Sequence, residues 1–375
     1  MSQNIENFKN IATAIIEQTQ GFINHPTTQE KYRVDKKHFS RSGKLPFALT
    51  CQLLLSNMCN STQVELYKKL FINDLPQVKD SSFCKNRYKI KADFFVELNV
   101  ICIAMLYEVG KKDLKTWHDF TLLAIDGTTL QLPDTADIRE HFGTHKNGSA
   151  NGTITHTTMG RCLVEEDVLN KVFTRVELFP IAKSELSATY DWILKPNEVN
   201  GLRLFDRNFG SFLLMYLMQQ AEQHFVIRMK TSQGNAVKAF LESGAEDAIV
   251  TFTASTNLKH DKTTVKKGTE MLVRLVRVVL STGEIEVLAT SLLNQTAYPC
   301  SEFGALYNLR WGVETAIDVL KNKFELMSFL AHKAQGIYQE VYATIFDYNI
   351  QQLLILPAQV TVNEQVVKKK QKVKS

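Results

Sequence analysis

The sequence has no apolar run near the ~20 residues that a membrane-spanning helix needs. Its longest candidate, 209–218, is cut off by Gln219, Gln220 and Glu222. The opening MSQNIENFKN lacks the basic-then-apolar build of a secretory leader. No two of the six cysteines form a CxxC pair. That argues against a disulfide frame or a zinc site, and for reduced thiols in a cytosolic protein. Internal repeats are missing as well. What remains is a chain of 375 residues, 44% hydrophobic and 22% charged, the composition of an ordinary globular protein with room for two or three domains.

A strong charge of one sign is also missing, because 44 basic residues against 39 acidic ones leave only +5. The charge is unevenly spread. Residues 1–115 carry +6, residues 116–365 carry −6, and the tail 366–375 (VVKKKQKVKS) carries +5. Basic segments attract polyanions. An acidic centre either solvates the protein or holds cations.

The first 115 residues read as helical. Ile11, Ala14, Ile15 and Ile16 follow a helical pattern. A basic stretch at 31–44 holds six Lys/Arg against one Asp. An apolar run at 46–58 precedes a capping box, Thr62-x-x-Glu65. Asp80 or Ser81 can cap a further helix bearing Lys85, Arg87 and Lys89, and an apolar helix covers 93–107. Helix, short turn and basic helix suit a helix-turn-helix DNA reader, and equally a plain bundle with solvated lysines.

After 115 the texture changes. TLLAI (121–125) ends at Asp126-Gly127 and an alternating run follows, which reads as strand, tight turn, strand. Further strands are expected at KVFTRVELFP, LRLF and FVIRM, with a helix at 211–222. Alternating strands and helices indicate an α/β domain. Three strand-like runs within 235–295 look like a β-rich insertion, and VRLVRVVL among them reads as a strand rather than a basic patch. Helices are expected at 302–325 and 335–355.

Asp126 and Asp206 each end an apolar strand, where α/β sheets gather ligands. Taken singly, each also reads as a turn or cap residue. The helix at 302–325 adds weight. At ~100° per residue, Tyr307, Arg310, Glu314 and Lys321 lie within about 60° of arc, along the edge of the buried face. Charge beside a core is costly unless a partner or ligand satisfies it. An Arg310–Glu314 ion pair at i, i+4 spacing explains part of the stripe but leaves Lys321 over. His141-x3-His145 has a metal-like spacing in what reads as a loop. Asp134 and Asp137 read as solvated loop residues.

The spacing Tyr307-x2-Arg310-x3-Glu314-x6-Lys321 resembles the Y-R-E-K signature of bacterial insertion-sequence transposases of the DDE class. LLAIDGTTLQLPDT and HFG resemble that family's first-Asp segment, and GLRLFDRNFGSFLLM with HFVIRMK its second. TSLLNQ…LYNLRWGVE resembles the approach to its Glu. FSRSGKLPF and SSFCKNRYKIKADFF resemble its N-terminal region more weakly. The similarity spans about 39–350.

The resemblance implies an α/β, RNase H-like catalytic domain over 116–355 with a β-rich insertion at about 235–295. A helical DNA-binding domain over 1–115 would precede it, and a basic tail, 356–375, would follow. It implies Asp126, Asp206 and Glu314 as catalytic metal ligands for Mg²⁺, with Mn²⁺ substituting and two ions in all. Asp126 would bridge, with Asp206 on one ion and Glu314 on the other. Arg310 and Lys321 would hold phosphates, and Tyr307 would add a hydrogen bond. Trp311 either stacks on a displaced base or packs at the helix edge; Arg228 either contacts DNA or forms an ion pair. The implied activity is cleavage at element ends and 3′-OH strand transfer. The partners would be terminal inverted repeats and target DNA, bound by a homodimer in a bacterial, nucleoid-associated setting with no membrane. The alternatives are a catalytically silent or domesticated DNA-binding protein and a nuclease without strand transfer. The lysine tail is either a nonspecific DNA tether or a solvated end.

Overall fold

The computed structural model describes residues 2–56, 61–148, 154–195 and 199–374, with backbone alone at 2–5, 147–148, 154 and 356–374. The chain opens with helices α1 (Ser2–Asn24), α2 (Pro26–Tyr32), α3 (Phe47–Leu55), α4 (Thr62–Ile72), α5 (Asp80–Arg87) and α6 (Asp93–Val109). The expected capping box shifts by one residue: Ser61 occupies the cap of α4 and makes no side-chain capping bond. The basic helix α5 turns one of its cations inward. Arg87 is buried and donates to Glu340 (2.6 Å), Gln339 (3.2 Å) and the Gly336 carbonyl (3.2 Å).

The sheet follows, as β1 (Thr121–Gln131), α7 (Ala136–Phe142), β2 (Thr144–Gly148), β3 (Ile154–Asp167), β4 (Val172–Pro180), α8 (Glu185–Ile193), β5 (Gly201–Phe205), α9 (Phe212–Gln220) and β6 (His224–Met229). The insertion adds α10 (Gly234–Glu242), β7 (Asp247–Thr253), β8 (Leu258–His260), β9 (Thr263–Val265), β10 (Glu270–Val279) and β11 (Ile285–Thr290). A 3₁₀ turn (Cys300–Glu302) leads into α11 (Phe303–Asn308), α12 (Trp311–Asn322) and α13 (Ala334–Lys374).

The strand order is β4-β3-β1-β5-β6-β11-β10-β7, with β2 extending β3. The pairs β4–β3 and β3–β1 are antiparallel, whereas β1–β5 and β5–β6 are parallel. Antiparallel strands followed by parallel ones, in this order, make an RNase H-like sheet. The insertion prolongs it, because β11 pairs antiparallel with β6. The LRLF run of β5 is buried throughout, as a central strand covered on both faces must be.

The expected turn at Asp126-Gly127 does not exist. β1 is one strand, and Asp126 and Gly127 stand opposite Val164 and Leu163 of β3. The Asp-Gly pair is turn-prone alone, but eleven residues of ladder hold it extended. The segment after Pro133 is likewise no free loop. Asp134 accepts from Thr158 and Arg139, and Asp137 accepts the Ala334 N–H.

Alternation along β1 separates two cores. Leu122 and Ala124 pack with α6, α12 and α13, while Ile125 packs with α8 and α9. The N-terminal helices join the first core, where α1 and α3 lie on α13. Asn349 of α13 ties this layer to β4. Its side chain accepts the Phe173 N–H (2.8 Å) and donates to the Phe173 carbonyl (2.8 Å), as a neighbouring strand would. Helix α13 outruns the expected 335–355 and takes in the tail's backbone. Among the described residues, no helix is long and apolar enough to cross a membrane.

Candidate functional site

β1 and β5 pair in parallel from Thr121 opposite Gly201 to Ala124 opposite Leu204. The offset is 80 residues, the interval that separates Asp126 from Asp206. Carried two residues further, the register sets the two aspartates side by side where β5 leaves the sheet. Asp126 shares the face of Leu122 and Ala124, onto which α12 packs. Asp206 closes onto its own loop, accepting from the Asn208 backbone N–H (2.8 Å) and side-chain amide (3.1 Å).

The third acid comes from α12. The expected helix over 302–325 is tightened at 307–313, where Arg310 N–H donates to the Tyr307 carbonyl (3.1 Å) and Val313 N–H to Arg310 (3.2 Å). Such i to i+3 bonds eclipse residues three apart. Tyr307 and Arg310 are thereby stacked one above the other. The Arg310 guanidinium lies 5.7 Å from the Tyr307 ring centre and 4.8 Å from that of Trp311. Its Nη2 donates to Glu314 Oε1 at 2.7 Å. Arg310 is only 4% exposed, yet its Nε and Nη1 have no partner. Buried donors left open are expensive, and two on one planar cation suit an anion brought from outside.

These groups act on one another across the sheet edge. Burial pushes the Asp126 carboxyl up to about 6; the Gly127 N–H and Arg310 oppose this, while Asp206 and Glu314 add to it by repulsion. Asp126, Asp206, Glu314 and Arg310 therefore share one electrostatic neighbourhood. All three acids offer hard carboxylate oxygens, the donor chemistry of Mg²⁺ and Mn²⁺. Among the described residues, no three His, Cys, Asp or Glu side chains stand close enough to hold a cation as they are. Glu314 is engaged by Arg310, and Asp206 by Asn208.

The remaining candidates divide. The Tyr307 hydroxyl donates to the Phe205 carbonyl (3.2 Å), so in this structure it anchors the end of β5 beside Asp206. Trp311 is 53% exposed, next to an open groove of about 590 Å³ that Tyr307 also lines. Lys321 lies at the last turn of α12, partly exposed. Arg228 forms an ion pair with Glu286 (2.9 Å) and another with Glu284 (3.3 Å) across β11. The two histidines part company: His141 ends in α7 against the Tyr338 hydroxyl (3.0 Å), and His145 lies on β2. The sequence analysis missed Glu185 and Arg161, an ion pair at 3.6 Å beside Gly127. Nothing in their spacing marks them.

The sequence profile of the family described as Transposase DDE domain matches residues 117–350, from just before β1 into α13. Transposase InsG for insertion sequence element IS4, from Escherichia coli (strain K12), is 23% identical over 236 residues, covering 62% of this chain and 52% of that protein. The chain spans about half the length of this curated relative. The cryo-EM structure of the piggyBac transposase synaptic complex with hairpin DNA aligns with a TM-score of 0.47 and 9% identity, over 92% of this chain and 75% of that one. With the profile covering the whole sheet and the helix that carries Glu314, the chain belongs to the Transposase DDE domain family.

Proposed function

We propose that this protein is a DNA transposase that cuts phosphodiester bonds at the ends of its element and joins the freed 3′-OH to target DNA. The observation that carries the reading is the meeting of Asp206, Glu314 and Arg310 on Asp126 from three separate elements. Asp126, Asp206 and Glu314 are the residues that would hold divalent cations, Mg²⁺ or Mn²⁺, probed as two ions. Such ions neutralise charge at the scissile phosphate. Arg310 offers its two free N–H groups to a phosphate, and turning to that phosphate releases Glu314.

Two displacements use the same residues. In the first, a water oxygen bonds to phosphorus, the P–O3′ bond breaks, and the leaving oxygen takes a proton to become a 3′-OH. In the second, that 3′-OH attacks a target phosphorus, losing its proton as the target's own P–O3′ bond breaks. Two ends must be processed, which calls for two copies of the chain. The DNA also needs a nonspecific hold. Lys37, Arg41, Lys44 and Lys89 of the N-terminal helical region line one open groove of about 600 Å³, suited to a phosphate backbone.

The test is cleavage of DNA carrying the inverted repeats that flank the gene, with Mg²⁺ or Mn²⁺. Asp126→Asn, Asp206→Asn and Glu314→Gln are each expected to abolish cutting and leave end binding intact. Cutting that survives any one of them refutes the site. Pre-cut ends separate transposase from nuclease: joined products are expected, and their absence refutes strand transfer.

A further inference from the structure

We propose that Glu185 is a fourth carboxylate of the site, reaching it from the opposite face of the sheet and sharing with Asp206 the binding of a divalent cation. The proposal rests on the catalytic reading above. Helix α8 starts at Glu185, fixed there by Ser184, whose hydroxyl accepts the Ser187 N–H at 3.1 Å. Strand alternation sends Asp126 to the α12 face and Gly127 to the α8 face. The Glu185 side chain fills the space that alternation leaves. A Cβ at position 127 would overlap the Glu185 carboxyl carbon, Cγ and Oε1. Gly127 has an ordinary extended backbone, so close approach explains the glycine where conformation does not.

The acid is not tightly satisfied where it lies. Its ion pair is with Arg161 Nη1 at 3.6 Å, longer than a hydrogen bond. Asp206 lies between the two faces, because its charge acts on Asp126 and on Glu185 alike. An independent feature marks the same place as a ligand site: Arg310, 4% exposed and acting on Asp126, keeps two buried N–H groups open. A phosphate placed there brings its own negative charge to an edge already lined by carboxylates, and cations must accompany it. Glu185 and Asp206 are the acids on the side away from Glu314.

A purely structural Glu185 would only pack on Gly127 and pair with Arg161, and Glu185→Gln preserves its size. The experiment is a Mn²⁺ titration of the full chain followed by electron paramagnetic resonance. It compares wild type, Glu185→Gln, Asp126→Asn, Asp206→Asn and the Glu185→Gln/Asp206→Asn pair. Glu185→Gln is expected to weaken Mn²⁺ binding by roughly ten- to a hundredfold. In the double variant the loss should fall short of the product of the two single losses, as for groups sharing one ion. Wild-type Mn²⁺ binding in Glu185→Gln, with binding lost in Asp126→Asn, overturns the role of Glu185 alone. Binding indifferent to Asp126→Asn as well overturns the catalytic reading and this proposal together.

Discussion

Replacing Asp126 by Asn is expected to make the metal-free protein more stable at neutral pH, while destroying the site. The carboxyl stands at about 6 in the folded chain against 3.8 in a model peptide, chiefly because it is buried. Below pH 3.8 it is protonated in folded and unfolded chains alike and costs nothing. Between those two values the unfolded chain ionises first, so stability falls as pH rises, and the full cost applies above pH 6. Two units at ~1.4 kcal/mol each give about 3 kcal/mol, an upper value for a group that still touches solvent. Asn keeps the Oδ1 that accepts the Gly127 N–H at 2.8 Å, so little else is lost. Urea unfolding in chelator reads the difference. Asp126→Asn should exceed wild type by up to ~3 kcal/mol at pH 8 and by about 1 kcal/mol at pH 4.5. Added Mn²⁺ should narrow the gap by stabilising wild type alone. A variant less stable than wild type at pH 8, or a gap that ignores pH, refutes the reasoning.

Two other substitutions probe the supports of the site. Arg274 is fully buried, donating to both oxygens of Asp247 (2.8 and 2.6 Å) and to the Leu292 and Tyr298 carbonyls. Arg274→Ala strands a carboxylate and is expected to cost ~3–5 kcal/mol in urea unfolding; a cost under ~1 kcal/mol refutes the pair's structural role. Tyr307→Phe leaves the Phe205 carbonyl unpaired and is expected to cost ~1–3 kcal/mol. It should slow cleavage with DNA affinity unchanged; a fall in affinity instead would assign the hydroxyl to phosphate.

The site was more legible in the sequence than the sheet around it. Four residue types at fixed intervals marked the helix of Glu314, and apolar runs ending in Asp marked the two strands. Their alignment is a property of the β1–β5 register, which no window of sequence contains. Local reasoning failed where a distant partner outbids a local preference. Asp126-Gly127 is turn-prone by itself and becomes strand between β3 and β5. Arg87 and Arg228 look like free cations, but their acids lie on α13 and beside β11. Glu185 carries no mark at all, since an acidic residue in a helix's first turn is common. Only the missing side chain at Gly127 gives it away, and only in three dimensions.

The insertion has a consequence for when activity can begin. It leaves after Met229 and returns at Val287, and these two residues face each other across the β6–β11 ladder. The excursion can therefore vary in length between lineages without stretching the sheet. It is not an idle cassette, however. The Arg274 guanidinium of β10 lies 5.0 Å from the ring centre of Phe303, the first residue of α11. The helix bearing Tyr307 thus rests on a platform built from the insertion. During synthesis the two aspartates emerge first, then the platform, and Glu314 last. A nascent or broken chain can display two of the three acids without the third, and so holds no blade that can cut the DNA from which it was transcribed.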